Sequence, residues 1–312
     1  MKNILISSCG RRVELVNLFK SAIQDYKLDT KVIGFDASIT APTIKFVDEF
    51  VLSPKLNQAE FKQILFDTIE KKSIQMIIPT IDTELEFFSK IKNELRTRFN
   101  CLVLIADFEV ISIFRNKLLS HDFFLSKGLK SPKLYSKLEI PIFPVFVKPK
   151  DGSSSIGAFK VENINELEFL LSKNPDLMIQ EYIEGTEYSV DVFNYIDSKN
   201  VSIVIRERIQ VRSGEISKGK IVNDPIIFES IHKLISSFKF IGNITIQLIK
   251  KNHELYYIEI NPRFGGGTPV SIMAGAKSCH YALDMMLNKP LIHYPKIKED
   301  LYFSRYDQTV FL

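Results

Sequence analysis

From its first residues to Asp107 the chain alternates short apolar runs with stretches of helical periodicity. The runs are Ile4-Leu5-Ile6-Ser7, Lys31-Val32-Ile33-Gly34-Phe35-Asp36, Gln75-Met76-Ile77-Ile78-Pro79-Thr80 and Cys101-Leu102-Val103-Leu104-Ile105-Ala106-Asp107. Helical patterns start at Val13-Glu14-Leu15-Val16-Asn17-Leu18-Phe19 and cover residues 61–69. Runs this short and this apolar suit strands buried on both faces, and the helices between them supply the crossovers. The pattern therefore predicts a parallel, doubly wound α/β sheet ending near Asp107.

Ligands of such sheets gather at the carboxyl ends of the strands. Those ends carry Ser8-Cys9-Gly10-Arg11-Arg12, Asp36 and Pro79-Thr80-Ile81-Asp82-Thr83-Glu84. Gly10 permits a tight turn, and Arg11 or Arg12 near a helix start suits an anionic group. Arg11, Arg12, Asp82 and Glu84 are thus candidate substrate-binding residues.

Residues 108–138 read as a connecting helix pair, with Gly128 as a stop and Pro132 restarting extended chain. Beyond them the pattern changes. Residues 145–161, 176–195 and 201–215 read as antiparallel strands, with helical stretches at 166–171 and 227–238, an α+β arrangement. At 312 residues the chain exceeds one ordinary core of roughly 100–200 residues, so two or three units are expected. A net charge of +4 with no block of Lys or Arg gives no sign of a nucleic-acid partner. Cys9, Cys101 and Cys279 are far apart and form neither a disulfide framework nor a zinc spacing. No segment approaches the about 18 apolar residues of a membrane span, and a cytoplasmic protein is the expectation.

The chemistry is concentrated in Glu259-Ile260-Asn261-Pro262-Arg263, at the end of an alternating run. Side chains alternate across a strand, so Glu259, Asn261 and Arg263 are expected on one face, with Gln247 joining from the neighbouring strand. Oxygen ligands beside a guanidinium suit Mg²⁺ together with phosphate. Lys148 ends an apolar strand just before Asp151-Gly152-Ser153-Ser154-Ser155-Ile156-Gly157, which sets an ammonium beside a loop of small residues and hydroxyl donors suited to phosphate. Glu181, Glu184 and Asp191 read equally as hinge residues or as solvated strand positions. The five histidines show no spacing of base to nucleophile.

With Asn116-Lys117 at a helix start and Gln180-Glu181-Tyr182-Ile183-Glu184-Gly185-Thr186-Glu187 on a later strand, the order of these segments resembles the ATP-grasp superfamily. Its carbamoyl-phosphate-synthetase large-subunit-like group of carboxylate–amine ligases is the nearest in flavour. The resemblance covers most of the chain. It implies an N-terminal Rossmann-like (pre-ATP-grasp) α/β domain at 1–107. An α+β ATP-grasp fold of two subdomains follows, with connecting helices and lid at 108–185 and the metal and catalytic part with its tail at 186–312. It further implies that Lys117 and Lys148 contact nucleotide phosphates, with Ser153, Ser154 and Gly157 in the lid. Glu181, Tyr182 and Ile183 would face adenine and Glu187 the ribose. Gln247, Glu259 and Asn261 would hold Mg²⁺, and Arg263, with Lys148, would serve the chemistry. Glutamine at position 247, where many relatives carry a carboxylate, leaves one negative charge fewer for the metal.

The implied reaction spends ATP, with Mg²⁺ or alternatively Mn²⁺, to convert a small-molecule carboxylate to an acyl phosphate that an amine then attacks. The alternatives are kinase-like phosphorylation of a small acid such as carbamate and a nucleotide-binding module without turnover. Arg208 and Lys218, in a polar stretch between the ribose and metal strands, are candidates for gripping the substrate. The tail containing Leu301-Tyr302-Phe303-Ser304 is expected to add a strand either to this chain's sheet or to that of a second subunit in a homodimer.

Overall fold

A computed structural model describes residues 2–136, 139, 141–150, 156–196, 200–291 and 295–312. Within them a parallel sheet has the order β3-β2-β1-β4-β5, formed by β1 (Asn3–Ser7), β2 (Val32–Asp36), β3 (Glu49–Leu52), β4 (Ile74–Pro79) and β5 (Leu102–Val103). Every residue of β1 is buried, as strands covered by helices on both faces require. The covering helices are α1 (Val13–Asp25), α2 (Phe61–Lys71) and α3 (Leu85–Phe99). Strand β3 and helix α3 lie outside the sequence reading, and β5 pairs over fewer residues than its apolar run suggests.

The connecting pair is α4 (Phe108–Arg115) and α5 (Lys117–Ser126). Asn116 separates them and caps α5, its side chain accepting from the amides of Leu118 and Leu119. Gly128 adopts φ +69° just beyond α5, a conformation that costs glycine little. A smaller antiparallel sheet follows, in the order β6-β9-β7-β8, from β6 (Leu134–Tyr135), β7 (Val145–Pro149), β8 (Phe159–Val161) and β9 (Leu177–Glu181). Helix α6 (Ile164–Lys173) closes its own small core, in which Val145, Val147, Leu167 and Ile179 are buried.

The largest sheet has the order β14-β13-β10-β11-β12-β15. Its strands are β10 (Thr186–Asn194), β11 (Asn200–Arg212), β12 (Glu215–Val222), β13 (Gly242–Lys251), β14 (Glu254–Asn261) and β15 (Leu301–Ser304). Helices α7 (Pro225–Ile235), α8 (Thr268–Ser271) and α9 (Ser278–Met286) accompany it. The period of two divides this sheet cleanly. Val190, Val192, Ile205, Ile246 and Leu248 point into a core shared with Leu5, Phe35 and Phe88 of the parallel sheet and its helices. That shared core holds the N-terminal layer against the large sheet. The tail strand β15 pairs antiparallel with β12 of the same chain, and the polar stretch at 212–220 is the turn and second strand of the β11–β12 hairpin. No helix among the described residues is long and apolar enough to cross a membrane.

The opposite, polar face of the large sheet is organised around Asp191, which is 3% exposed. Its Oδ2 faces Arg206 Nε at 3.0 Å and Nη2 at 2.9 Å. Thr245 and Thr268 donate to Oδ1 at 2.6 and 3.0 Å, and Ser271 donates to Oδ2 at 2.6 Å. Strands β10, β11 and β13 and helix α8 are thus tied to one carboxylate, which overturns the reading of Asp191 as a hinge or solvated residue. Replacing Asp191 with Asn leaves the Arg206 guanidinium buried without its counter-charge. The expected cost is about 3–5 kcal/mol, measured as a fall in the urea unfolding midpoint at unchanged slope.

Candidate active site

A cleft opens between the smaller antiparallel sheet and the polar face of the large one, with Asp82 of the parallel layer at one end. Its floor depends on an irregularity. Glu259 pairs with Gln247 and Tyr257 with Leu248, which leaves Ile258 as an extra residue in β14. Without that bulge Tyr257 and Glu259 would share a face. With it, Tyr257 and Ile260 stay in the core while Glu259 and Asn261 turn to the cleft. Asn261 Nδ2 donates to Glu259 Oε1 at 2.9 Å. Strand β14 ends at Asn261, so Arg263 stands just past the strand rather than on it.

Lys148 comes from the opposite wall, on β7, and is 6% exposed. Burial pulls its ammonium down to about 8; Glu259 across the cleft opposes this, and Lys117 adds to it. Lys117 opens α5 and donates to the carbonyl of Pro149 at 3.0 Å. Lys148 and Glu259 therefore face one shared space. Gln247, Asn261, Arg263, Glu181, Tyr182 and Ile183 line it as well. Glu187 also lines it and lies 3.2 Å from Arg208 Nε, while Arg208 donates to Ser189 Oγ and the Gly214 carbonyl at 3.1 and 3.2 Å. Ile156 and Ala158 reach the cleft on either side of Gly157, whose φ is +73°. Ser153 and Ser154 lie outside the described residues.

Five substrate candidates are placed differently from the expectation. Arg11 is exposed and pairs with Asp307 at 3.0 Å. Glu84 is 1% exposed and accepts from Ser7 Oγ, Ser8 Oγ and the amides of Thr80 and Ile81, so it staples the ends of β1 and β4 together. Burial raises its carboxyl despite these donors. Lys218 is exposed on β12, beside the tail strand. Asp82 does reach the cleft, but both its oxygens accept from Arg263, at 2.9 and 2.7 Å. Burial pushes Asp82 up, and the charges and hydrogen bonds of Arg263, with Arg115 and Arg12, bring it below its ordinary value. Arg12 is held beneath the site, donating to the Thr80 carbonyl at 3.0 Å and lying 3.5 Å from Glu215.

Arg115 and Glu215 line the cleft without having been candidates from sequence. Arg115, in the last turn of α4, is 4.0 Å from Asp82. Glu215, which opens β12, accepts from Arg305 at 3.1 Å. Burial raises its carboxyl, but Arg12 and Arg305 outweigh that and hold it low. Neither carries a local signal, because each is recruited by partners distant in sequence.

Among the described residues no cluster of three His, Cys, Asp or Glu side chains is shaped for a metal. Gln247, Glu259 and Asn261 still offer adjoining oxygen donors without sulfur or imidazole, a set suited to a hard cation shared with phosphate rather than to a self-contained cage. The fold and this cleft define a protein built to hold a charged ligand between two antiparallel sheets.

Three family models match successive parts of the chain. They are PylC-like, N-terminal domain, over residues 4–101; D-ala D-ala ligase C-terminus, over 118–217; and ATP-grasp in the biosynthetic pathway with Ter operon, over 173–309. The 3-methyl-D-ornithine–L-lysine ligase of Methanosarcina acetivorans is 29% identical over 262 residues, 81% of this chain and 66% of the relative. The chain thus spans just under two thirds of that relative's length. Among solved structures, N5-carboxyaminoimidazole synthetase of Staphylococcus aureus in complex with ADP superposes with a TM-score of 0.73 at 18% identity, covering 95% of this chain and 79% of that one. The biotin carboxylase domain of Hydrogenobacter thermophilus 2-oxoglutarate carboxylase, in complex with MgADP and bicarbonate, gives 0.73 at 16% identity, covering 96% and 73%. Along its length the chain is thus similar to ATP-grasp proteins and, among them, to carboxylate–amine ligases.

The glycine run after Arg263 packs against charged side chains of this site. A Cβ at Gly267 would lie 2.2 Å from Arg206 Nη1 and 2.8 Å from Ile216, whereas one at Gly266 would meet the Glu215 carboxylate at 1.9 Å. Arg206 is locked to Asp191, while the Glu215 side chain is 46% exposed and has room to swing aside. Gly267→Ala is therefore expected to cost about 1–3 kcal/mol and Gly266→Ala distinctly less, compared by thermal denaturation of the two variants.

Proposed function

We propose that the chain is an ADP-forming ligase that activates a small-molecule carboxylate with ATP and joins it to an amine. The observation that carries this reading is the convergence, in one cleft, of a buried ammonium at Lys148, oxygen donors at Gln247, Glu259 and Asn261, and a guanidinium at Arg263. A module that only bound nucleotide would have no use for a guanidinium fixed beyond the oxygen donors. The relative named for joining 3-methyl-D-ornithine to L-lysine supports amino acids as the first substrates to try.

In this reading residues 1–107 present substrate, 108–185 close over the nucleotide, and 186–312 supply metal ligands and catalytic groups, in a cytoplasmic enzyme. The backbone around Glu181, Tyr182 and Ile183 faces adenine, Glu187 the ribose, and Lys117 and Lys148 the phosphates. Gln247, Glu259 and Asn261 would hold Mg²⁺, or Mn²⁺ with its similar preference for oxygen, which when bound neutralises phosphate charge. A substrate carboxylate oxygen attacks the γ-phosphorus, the bond to the β-phosphate oxygen breaks, and ADP leaves. The amine nitrogen then attacks the acyl carbon, the carbon–oxygen bond to phosphate breaks, and the amine gives up a proton. Each step gathers charge on oxygen, which Lys148 and Arg263 meet from fixed positions. Such transfer rests on positioning and electrostatics, and no covalent nucleophile is needed.

The test measures ADP and phosphate release from ATP and Mg²⁺ over a panel of carboxylic acids, amino acids first, with and without amines. Release that requires both partners is the expected result, and Arg263→Ala should keep nucleotide binding while losing about 10²–10³ in turnover. Release with acid alone would point instead to a kinase-like step, and binding without release to a non-catalytic module.

A second prediction concerns pH. Triphosphate favours the charged form of Lys148, so its affinity should be flat below about pH 8, the value to which burial brings this ammonium. Above that it should fall up to about tenfold per pH unit as the unbound protein gives up the proton. Calorimetric titration with ATP and Mg²⁺ between pH 7 and 9.5 should show this slope in the unaltered protein and lose it in Lys148→Met. Equal slopes would show that another group carries the dependence.

A further inference from the structure

Arg263 stands at the catalytic end of the cleft, yet its firmest partner comes from the N-terminal layer, 181 residues earlier. Asp82 accepts from Nε through Oδ1 at 2.9 Å and from Nη2 through Oδ2 at 2.7 Å, a two-pronged contact that fixes both the position and the plane of the guanidinium. The side chains are only 12% and 8% exposed. Arg263 also reaches the Phe264 carbonyl through Nη1 and Asn261 Oδ1 through Nη2, each at 3.3 Å. Of the five N–H groups a guanidinium carries, the one without such a contact among the described residues is on Nη1.

The loop that bears Asp82 is itself fixed. Glu84 ties the amides of Thr80 and Ile81 to the serines that end β1, and Thr80 Oγ1 donates to the carbonyls of Ser7 and Ser8 at 3.0 and 2.8 Å. A group meant to gather substrate would keep its oxygens available. This one spends both on an arginine and does so from a rigid platform.

Resting on the ligase reading above, we infer that Asp82 is the positioning residue for Arg263, holding its remaining Nη1 edge toward the oxyanion that forms during transfer. Asp82 also offsets the crowding of positive charge at this end of the cleft. Arg115 lies 4.0 Å from the same carboxylate, and the charge of Arg12 acts on Arg263. The N-terminal layer thereby contributes to the chemistry through Arg263 and not only by holding substrate.

The experiment uses the full chain with the carboxylate–amine pair that supports ADP release. Asp82→Asn keeps the size of the side chain but leaves one acceptor and turns an NH₂ donor toward the guanidinium. The expected result is a fall in kcat of about 10- to 100-fold, with the KM for ATP and for the carboxylate changed less than about twofold. On an Arg263→Ala background the same change should add no further loss. Asp82→Glu keeps two acceptors and should recover part of kcat. Counting binding-competent protein by nucleotide titration, and expressing kcat per competent molecule, separates these effects from poor folding of any variant. A loss that adds to that of Arg263→Ala, or one confined to the KM of the carboxylate, would overturn the assignment and give Asp82 to the substrate. No ADP release from the unaltered protein across the whole panel would overturn the ligase reading and the assignment with it, a result distinct from the others.

Discussion

The carboxylate of Asp191 is buried on a sheet whose other polar groups have to be arranged around it. An unpaired charge there would cost several kcal/mol. It is met by a guanidinium and three hydroxyls, from Arg206, Thr245, Thr268 and Ser271. These donors come from both neighbouring strands and from the helix that follows the glycine run. The segment carrying Arg263 and Gly265–Gly267 therefore leaves β14 in a fixed direction. Arg206 in turn fills the space that a side chain at position 267 would need, so the glycine and the buried ion pair are two aspects of one packing solution.

Above this foundation the cleft interleaves charges of both signs. Arg12, Arg115, Arg208 and Arg263 face Asp82, Glu187 and Glu215, in contacts that cross from the parallel layer to the large sheet, join α4 to the parallel layer, or run between strands of the large sheet. Opposite charges at such distances in a partly dry site restrain one another's orientation. The consequence is a surface that is already polarised before ligand arrives, which is the condition under which charge developing in a reaction is met without reorganisation.

Much of the fold was legible because burial imposes period. The apolar runs of β1, β2 and β4 are buried strands, and the polar positions of β10, β11, β13 and β14 alternate with the core residues. Strand β3 lies at the sheet edge with none of its four residues fully buried, and its apolar run Phe50-Val51-Leu52 was passed over. Helix α3 buries Leu85, Phe88, Ile91 and Leu95 at helical spacing, a signal that was present and passed over. At the site, the stripe containing Gln247, Glu259 and Asn261 could be read from alternation. The bulge at Ile258 could not, since Tyr257, Ile258 and Ile260 are all compatible with the core. Beyond the local amides of Thr80 and Ile81 that Glu84 caps, the partners of Asp82, Glu84 and Asp191 lie 15 to 181 residues away, and no local pattern announces them.

Lys148 shows how the two antiparallel sheets divide the electrostatic work. Its strand belongs to the smaller sheet, whose core is separate from the one shared by the large sheet and the N-terminal layer. Its ammonium is nonetheless buried and faces Glu259 on the large sheet. A lone buried ammonium tends to lose its proton, and the opposing carboxylate and a bound polyanion both act to restore it. Under the proposed function, phosphate held between the sheets would favour the charged form of Lys148 in the same way. Lys148 and Glu259 thereby couple the smaller sheet to the larger one electrostatically across the cleft.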